Sequence, residues 1–299
     1  MGYMRLAGAA NAFLIRGDDG HVLVECGPAA TRATLFEGLR AVGVALTDIR
    51  HLLLTHIHLD HAGAAGHLAQ HGAHVHVHPF GAPHLANPEK LLASTRRVHG
   101  SAYEPFYGDM APVDVAHLHA TTDDVEVRLS GRAWRALHTP GHARHHVVWL
   151  LEAGSERHAF MGDLAGIVVP DSDWLSVPTP PPEFEPDAWI ASLQRVIEAD
   201  PTHLWLTHGA GVARDRAASR RFLERALLRL RQERAWLEQV VSAHADDAQA
   251  LDTYRAIESA HVRAAGMEAA RLDVLLDDAF FRMNLAGARR AFAPREPRG

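Results

Sequence analysis

Directly after the compact apolar run Ile49-Arg-His-Leu-Leu-Leu54, the chain reads Thr55-His56-Ile57-His58-Leu59-Asp60-His61. Four metal-ligating side chains within six residues cannot all be aimed inward by a regular strand or helix. The stretch is therefore expected to be a loop that leaves a buried strand and turns three imidazoles and a carboxylate toward one point. Neutral imidazole suits zinc, iron or manganese, and the carboxylate offsets part of the charge. The chain holds 23 histidines among 299 residues. Histidine is the commonest metal ligand, so composition points the same way.

Three further pieces share this character. His138-Thr139-Pro140-Gly141-His142 follows a second apolar run, Phe160-Met161-Gly162-Asp163 closes a third, and Leu206-Thr207-His208-Gly209 closes a fourth. Each sets a histidine or aspartate at a strand end, beside glycine or proline that allows tight backbone geometry.

Around these pieces the hydrophobic pattern predicts strands interspersed with helices. Ala12 to Arg16 and His21 to Glu25 flank Asp18-Asp19-Gly20 as a hairpin. Thr31 caps a helix to about Val42. Further strands are expected at Ile49 to Leu54, His74 to His78, Val125 to Leu129, Ala133 to Leu137, Val147 to Leu151, His158 to Met161 and, last, His203 to Leu206. Helices are expected at Ala62 to His71 and Asp187 to Ala199. Residues from about 80 to 113 read as irregular, with one helix near Glu89 to Val98. Past Gly211 the texture becomes helical: Arg216 to Val241, Asp247 to Ala265 and Met267 to Ala291 carry apolar residues at helical spacing.

The ordered set His56-X-His58-X-Asp60-His61, Thr139-Pro140-Gly141-His142, Gly162-Asp163 and His208 resembles the metallo-β-lactamase-fold hydrolase superfamily, over roughly residues 8 to 212. The resemblance implies an α/β fold, a four-layer αββα sandwich of two mixed sheets flanked by helices, with metals at one sheet edge. Residues 1–212 would form that catalytic domain, with an inserted segment at about 80–113, and residues 213–299 a C-terminal helical extension. The resemblance implies a first metal on His56, His58 and His142. It implies a second on Asp60, His61 and His208, with Asp163 bridging. Two divalent ions, zinc foremost and iron or manganese as alternatives, would lie about 3.5–4 Å apart and share a hydroxide. Zinc lowers the pKa of bound water to about 7, which supplies a nucleophile at neutral pH. Asp60 is also the candidate to orient that water and shuttle its proton; a pure ligand role is the other reading.

Other positions stand behind or beside this set. Glu25-Cys26-Gly27 occupies the place where relatives carry Asp-Thr-Gly. Glu25 and His146 are candidates to orient ligand imidazoles through their free N–H groups. His145 stands where glycine is usual. Cys26 reads as a small buried hydrophobe. His74, His76 and His78 share one strand face; His74 and His76 are expected to be exposed, and neither His78 nor His84 to be a ligand. Tyr103, Tyr107, Trp174 and Phe184 are candidate pocket walls, because long irregular segments in compact domains are often binding loops. The inserted segment and the Pro180-Pro181-Pro182 run resemble a prokaryotic branch of the superfamily.

The leading function is a dinuclear hydrolase of a small ester, lactone or thioester, with a lactone or carboxylic ester ahead of a glutathione thioester. Glyoxalase II-type relatives bind glutathione with a lysine-containing helical tail, whereas Lys90 is the only lysine here. A formal net charge of −6 without a basic stripe sets nucleic acid aside. No apolar run approaches the ~20 residues needed to cross a bilayer. A start that lacks a signal-peptide core, and Cys26 as the one cysteine, fit a cytoplasmic protein. That ranks β-lactam cleavage lower. The expected partner is a small-molecule substrate, with a homodimer left open; the helical tail has three readings, a contribution to the pocket, a cap on the sandwich or a dimer contact. Two other classes stay open: a mononuclear iron oxygenase similar to persulfide dioxygenases, and a non-catalytic metal-binding protein. Metal identity discriminates the first. Loss of metal with no loss of activity in His58→Ala would mark the second.

Overall fold

The computed structural model describes residues 10–168, 174–266 and 278–293. One sheet contains β1 (Phe13–Ile15), β2 (His21–Val24), β3 (Ile49–Leu53), β4 (His74–Val77) and β5 (Leu118–Ala120). The strands lie in that order; β1 and β2 form the antiparallel hairpin, and the pairing is parallel from β2 onward. The second sheet contains β6 (Glu126–Leu129), β7 (Arg132–His138), β8 (Val147–Ala153) and β9 (Glu156–Phe160). A small ribbon, β10 (Ile167–Val168) and β11 (Leu175–Ser176), precedes its last strands, β12 (His203–Leu206) and β13 (Ala210–Ala213). Its spatial order is β13-β12-β9-β8-β7-β6. Since β7–β8 and β8–β9 are antiparallel and β9–β12 is parallel, β7, β9 and β12 all run the same way. Their C-terminal ends meet at one edge of the sandwich.

Both faces of both sheets are covered, which is why the strands read as continuous apolar runs rather than alternating ones. The two-residue side-chain period still sorts them. Val147, Trp149 and Leu151 of β8 point between the sheets, with Val22 and Val24 of β2, Leu53 of β3 and Phe160 of β9. Val148 and Leu150 point the other way, onto the outer helices of the second sheet. Leu23 and Leu52 turn likewise to the helices outside the first sheet. Those helices are α1 (Arg32–Ala41), α2 (Leu59–Ala62), α3 (Ala65–Ala69), α4 (Ala82–Ala86), α5 (Glu89–His99) and α6 (Tyr103–Phe106). The second sheet is covered by α7 (Pro186–Glu198), α8 (Arg216–Ala243), α9 (Asp247–Ala264) and α10 (Asp278–Phe292). This is the αββα sandwich. Leu223, Leu230 and Leu237 of α8, Tyr254 of α9 and Leu285 of α10 belong to the same apolar cluster as Leu204 and Leu206 of β12. The helical tail and the sheet therefore share one core.

Several elements depart from the sequence reading. The segment expected to be irregular apart from one helix near Glu89 to Val98 holds that helix as α5 and two more, α4 and α6. Its prolines begin helices instead of breaking them: Pro83 lies in the first turn of α4, and Pro88 caps α5. His203–Leu206 is not the last strand, because β13 returns antiparallel beside it. β5, β10, β11 and β13 are two to four residues long and have no room for a readable period. The first part of the helix expected at Met267 to Ala291 lies outside the described residues; the rest is α10.

His74 and His76 were expected to face solvent, yet their strand face turns toward the second sheet. His76 lies edge-on to Trp149, with ring centroids 6.4 Å apart. His51 and His119 join them from the flanking strands: His51 Nδ1 and His76 Nε2 are 3.1 Å apart, and His74 Nδ1 and His119 Nε2 are 2.8 Å apart. Burial, reinforced by His51, His119 and His74, pushes the His76 pKa down to about 3. The unfolded chain therefore binds one proton more than the native chain between about pH 6.5 and 3. Stability from this group is complete above pH 6.5 and is lost as pH falls, by about 1.4 kcal/mol per pH unit for one proton. Urea unfolding between pH 7 and 5 should show a shallower loss in His76→Gln than in the wild type. Equal slopes would remove His76 from the acid response.

The tail carries a buried ionic network. Arg229 on α8 meets Glu233 at 2.8 Å and Glu258 on α9 at 2.7 Å, all three almost fully enclosed. Tyr254 donates a short hydrogen bond to Glu233, and Trp174 Nε1 donates to Glu258 at 3.0 Å. Removing the cation strands two buried carboxylates. Arg229→Ala is expected to cost about 3–5 kcal/mol in chemical denaturation; a loss below ~1 kcal/mol would show that the carboxylates find other partners.

Candidate metal centre

The loop after β3 is tied to the second sheet before it reaches its histidines. Trp149 Nε1 donates to the Leu54 carbonyl at 3.0 Å, and the Val147 N–H donates to the Thr55 carbonyl at 2.6 Å. From that anchor His56 and His58 project toward the ends of β7 and β9. His58 Nδ1 lies 3.0 Å from His56 Nε2 and 3.1 Å from His142 Nε2. A second group forms beside the first. His208 Nε2 lies 3.3 Å from His61 Nε2 and 3.4 Å from Asp60 Oδ2, and His61 Nε2 lies 3.8 Å from Asp60 Oδ2. Ligand atoms about 2.0–2.1 Å from one tetrahedral ion stand about 3.3–3.4 Å apart. The two edges that meet at His58, and the three of the second triangle, lie within about 0.5 Å of that length, and all ligand atoms of each group fall within 4.8 Å of one another.

Asp163 stands between the triangles. Its Oδ2 is 3.4 Å from His142 Nε2 in the first group; its Oδ1 is 3.2 Å from His61 Nε2 and 3.6 Å from His208 Nε2 in the second. Oδ1 is buried, and no aligned hydrogen-bond donor reaches it among the described residues. A buried carboxylate oxygen without a donor, ringed by imidazole nitrogens, fits a divalent ion. The structure thus brings together all seven residues His56, His58, Asp60, His61, His142, Asp163 and His208.

The electrostatics differ between the two groups. Burial and the neighbouring imidazoles push His56 well down, and burial holds His142 at about 4 and lowers His58 as well, so their lone pairs are available at neutral pH. Burial also opposes charging His61 and His208, but Asp163, Glu25 and Asp60 outweigh it for His61, and Asp163 and Asp60 for His208, and raise both. In return His61 and His208 overcome the burial of Asp60 and Asp163 and hold both acids below the usual carboxylate range.

The residues behind the ligands explain how this geometry is held. Glu25, buried and in the left-handed backbone region (φ 67°), sets Oε1 3.4 Å from His61 Nδ1. The same oxygen accepts a short hydrogen bond from the Thr55 hydroxyl, whose oxygen lies 3.1 Å from His56 Nδ1. One carboxylate therefore backs a histidine in each group. His146 Nε2 accepts from the Asp163 N–H at 3.3 Å, and its Nδ1 lies 2.8 Å from the Thr139 hydroxyl. Gly162 (φ 52°) between them is enforced: a Cβ would come within 2.4 Å of Thr55 Oγ1 and 2.7 Å of His146 Nε2. His145, in the unusual position, is buried; its Nε2 lies 3.3 Å from Glu183. His142 Nδ1 donates to the Pro178 carbonyl at 3.2 Å.

Cys26 points its thiol at the His61 carbonyl, 3.1 Å away, and burial pushes its pKa well up; it packs as a small apolar group. The four pocket candidates lie in packed layers. Tyr103 and Tyr107 sit in the cluster outside the first sheet, Tyr107 with its hydroxyl 3.1 Å from His99 Nε2. Trp174 is bound to Glu258, and Phe184 packs edge-on against Trp189 and Phe292. Trp189 is the aromatic that reaches the ligands, with its ring 5.3 Å from that of His142. Thr55, Thr139, Pro178 and Glu183 were not singled out from the sequence as site residues. Thr55 and Thr139 do lie inside the histidine motifs, whereas a backbone carbonyl such as that of Pro178 has no sequence signature.

One other three-ligand group occurs among the described residues, Glu156, His158 and His203. It is a closed relay: Trp205 Nε1 donates to His158 Nδ1 at 3.1 Å, and His158 Nε2 faces Glu156 at 3.3 Å. Ligation through Nε2 would require an imidazolate there, so this group is a hydrogen-bonded brace.

The model of the metallo-beta-lactamase superfamily matches residues 5–208, and the chain belongs to that superfamily. Among curated proteins it is 31% identical over 172 residues to the metallo-beta-lactamase fold-containing protein ST1585 of Sulfurisphaera tokodaii, a match covering 56% of this chain. It is 26% identical over 219 residues, 66% of this chain, to the probable metallo-hydrolase YqjP of Bacillus subtilis. The matched stretches span 63% and 66% of those proteins, just under two thirds of each. The crystal structure of ST1585 superimposes with a TM-score of 0.63 at 22% identity, covering 94% of this chain and 93% of the other. MEM-A1, a subclass B3 metallo-beta-lactamase from a soil metagenome library, superimposes with a TM-score of 0.55 at 24% identity over 75% of this chain and 89% of its own.

Glu25→Gln tests the outer carboxylate. It is expected to weaken divalent-metal affinity about 10–100-fold, read by competition with a chromophoric chelator. Wild-type affinity in a folded Glu25→Gln would detach Glu25 from the centre.

Proposed function

We propose that this chain is a dinuclear metal-dependent hydrolase that cleaves a small ester, lactone or thioester. The observation that carries the reading is Asp163, whose two oxygens face two separate donor groups of near-tetrahedral edge length. Divalent ions bound there, with zinc as the leading candidate, would supply Lewis acidity and water activated near neutral pH. The resemblance to a relative described as a probable metallo-hydrolase supports the same class. The net charge of −6 supports a small-molecule substrate over a nucleic acid.

The protein's own residues divide the work. His56, His58 and His142 present neutral nitrogens on one side, with His142 fixed by Pro178. Asp60, His61 and His208 present a carboxylate and two imidazoles on the other, with Glu25 Oε1 3.4 Å behind His61 Nδ1. Asp60 is the most accessible of the carboxylates at the centre, its side chain 16% exposed, against 6% for Asp163 and 1% for Glu25. It is therefore the one able to meet a substrate and, with Oδ2 turned to His208 and His61, to accept and return a proton at its other oxygen. Asp163, enclosed and held from behind by His146, has a holding role.

Elemental analysis of untagged, unchelated protein tests the reading, followed by an ester, lactone and thioester panel. About two zinc, manganese or mixed ions per chain, with turnover of one ester class, is the expected result. A single iron with oxygen uptake would overturn the hydrolase in favour of an oxygenase. Asp163→Ala should lose metal and activity together; unchanged metal content would remove the bridging role. Asp60→Asn should lower kcat about 100-fold or more and alter the acidic limb of the pH profile. A drop in metal content with kcat per bound metal unchanged would make Asp60 a ligand alone.

A further inference from the structure

The helical tail reaches the metal centre through one buried side chain. Asn284 on α10 is fully enclosed. Its Oδ1 accepts from the Thr179 N–H at 2.8 Å, its Nδ2 lies 3.5 Å from the Val177 carbonyl, and its own carbonyl accepts from the Thr179 hydroxyl at 3.2 Å. These contacts bracket Pro178, whose carbonyl accepts the Nδ1 proton of His142. With the proton on Nδ1, the His142 Nε2 lone pair is turned toward His58 and Asp163. Gly287, one turn along α10, completes the clamp: a Cβ there would lie 1.9 Å from the Thr179 carbonyl, so the helix sits directly on this segment.

Asn284 is itself held. Its Nδ2 donates to the Tyr254 hydroxyl at 2.9 Å, and Tyr254 donates to Glu233 in the Arg229 network. That network also grips the preceding stretch of the same loop, with Arg229 Nε donating to the Leu175 carbonyl at 3.0 Å and Trp174 Nε1 to Glu258. The loop between Asp163 and α7 is thus pinned from the tail at Trp174, Leu175, Val177 and Thr179. At Pro178 it meets a ligand side chain, the imidazole of His142, and at Val168 it meets the backbone carbonyl of His208.

We infer that Asn284 is a positioning residue for the metal centre: through Thr179 and the Pro178 carbonyl it sets the tautomer and aim of His142. Asn284 reaches the His56–His58–His142 group through a single backbone carbonyl, whereas its link to the other group is remote, running through Tyr254, Glu233 and Arg229 to Leu175, across the β11–β10 pair to Val168 and from the Val168 N–H to the His208 carbonyl, so the first group is the one it aims.

Cobalt(II) titration of the full chain, followed by d–d absorption, tests this. The binding event lost in His58→Ala marks the first group, and the event lost in His208→Ala marks the second. In Asn284→Ala the first event should weaken about 10-fold or more, with the second unchanged. Unchanged affinity at both groups, or an equal loss at both, would overturn the inference, because a merely structural role lowers stability without choosing between them. If Asn284→Ala does not fold, Asn284→Leu fills the space but removes the acceptor for the Thr179 N–H and decides by the same comparison. The inference rests on the metal-centre reading. A wild-type chain that takes up no cobalt would remove that reading as a whole, a result distinct from normal uptake without selective weakening.

Discussion

A carboxylate buried among five imidazoles is the constraint around which this molecule is organised. Asp163 is desolvated, and its anionic form survives there because His61, His208 and His142 face it. Those imidazoles are themselves pushed apart in pKa, His61 and His208 upward by the carboxylates and His142 downward by its burial. Such an arrangement has low tolerance for displacement, since an unpaired charge in a low-dielectric interior is costly. The surroundings reflect this. The Asp163 backbone is held by His146, Gly162 leaves room for Thr55 and His146 to close in, and Glu25 braces the opposite side through His61 and Thr55 at once.

The sandwich supplies the means of convergence. Parallel direction in β7, β9 and β12 brings three chain-distant ligand turns to one edge, and the end of β3 arrives there from the other sheet. The hydrogen bonds from Trp149 to Leu54 and from Val147 to Thr55 lock the two sheets together at that edge. Trp149 also fills the layer between the sheets, so the same side chain contributes apolar burial and register. Fold stability and ligand geometry are consequently difficult to separate at this position.

The ligands were legible in the sequence because their chemistry is local. His56, His58, Asp60 and His61 fall within six residues, the first two in the loop after β3 and the last two in α2, where the sequence pointed to loop throughout, and His142, Asp163 and His208 each follow an apolar strand beside glycine or proline. Glu25 and His146 were legible as candidates because they neighbour those turns. The layer order followed from the resemblance together with the strand pattern. What stayed hidden was long-range or made by the backbone. The face of β4 could not be assigned without knowing that the second sheet lies over it. β13, with only Ala210 to Ala213, has no period to read. Tyr103, Tyr107, Trp174 and Phe184 were placed on the pocket because their segments lacked an obvious period, yet these aromatics bury their rings in helix layers. Large aromatic side chains gain more from burial than most, so an aromatic in an irregular stretch is as apt to anchor that stretch as to line a cleft.

The helical tail illustrates how structure beyond the ligand loops acquires a role. Its apolar stripe alone would be satisfied by packing on the second sheet, and no ion pair is needed for that. A buried Arg229 with Glu233 and Glu258 carries a desolvation cost that apolar residues of similar volume would avoid. What the network adds is direction. Arg229 and Asn284 direct donors at carbonyls of one loop, while Trp174 of that loop and Tyr254 donate to the network carboxylates Glu258 and Glu233, so the loop is held by directional contacts. An apolar contact would hold the loop against the helices but allow it to slide by fractions of an ångström. A metal ligand aimed by a backbone carbonyl has no such latitude, so the polar interior of the tail is best understood as the part of the fold that fixes where Pro178 sits.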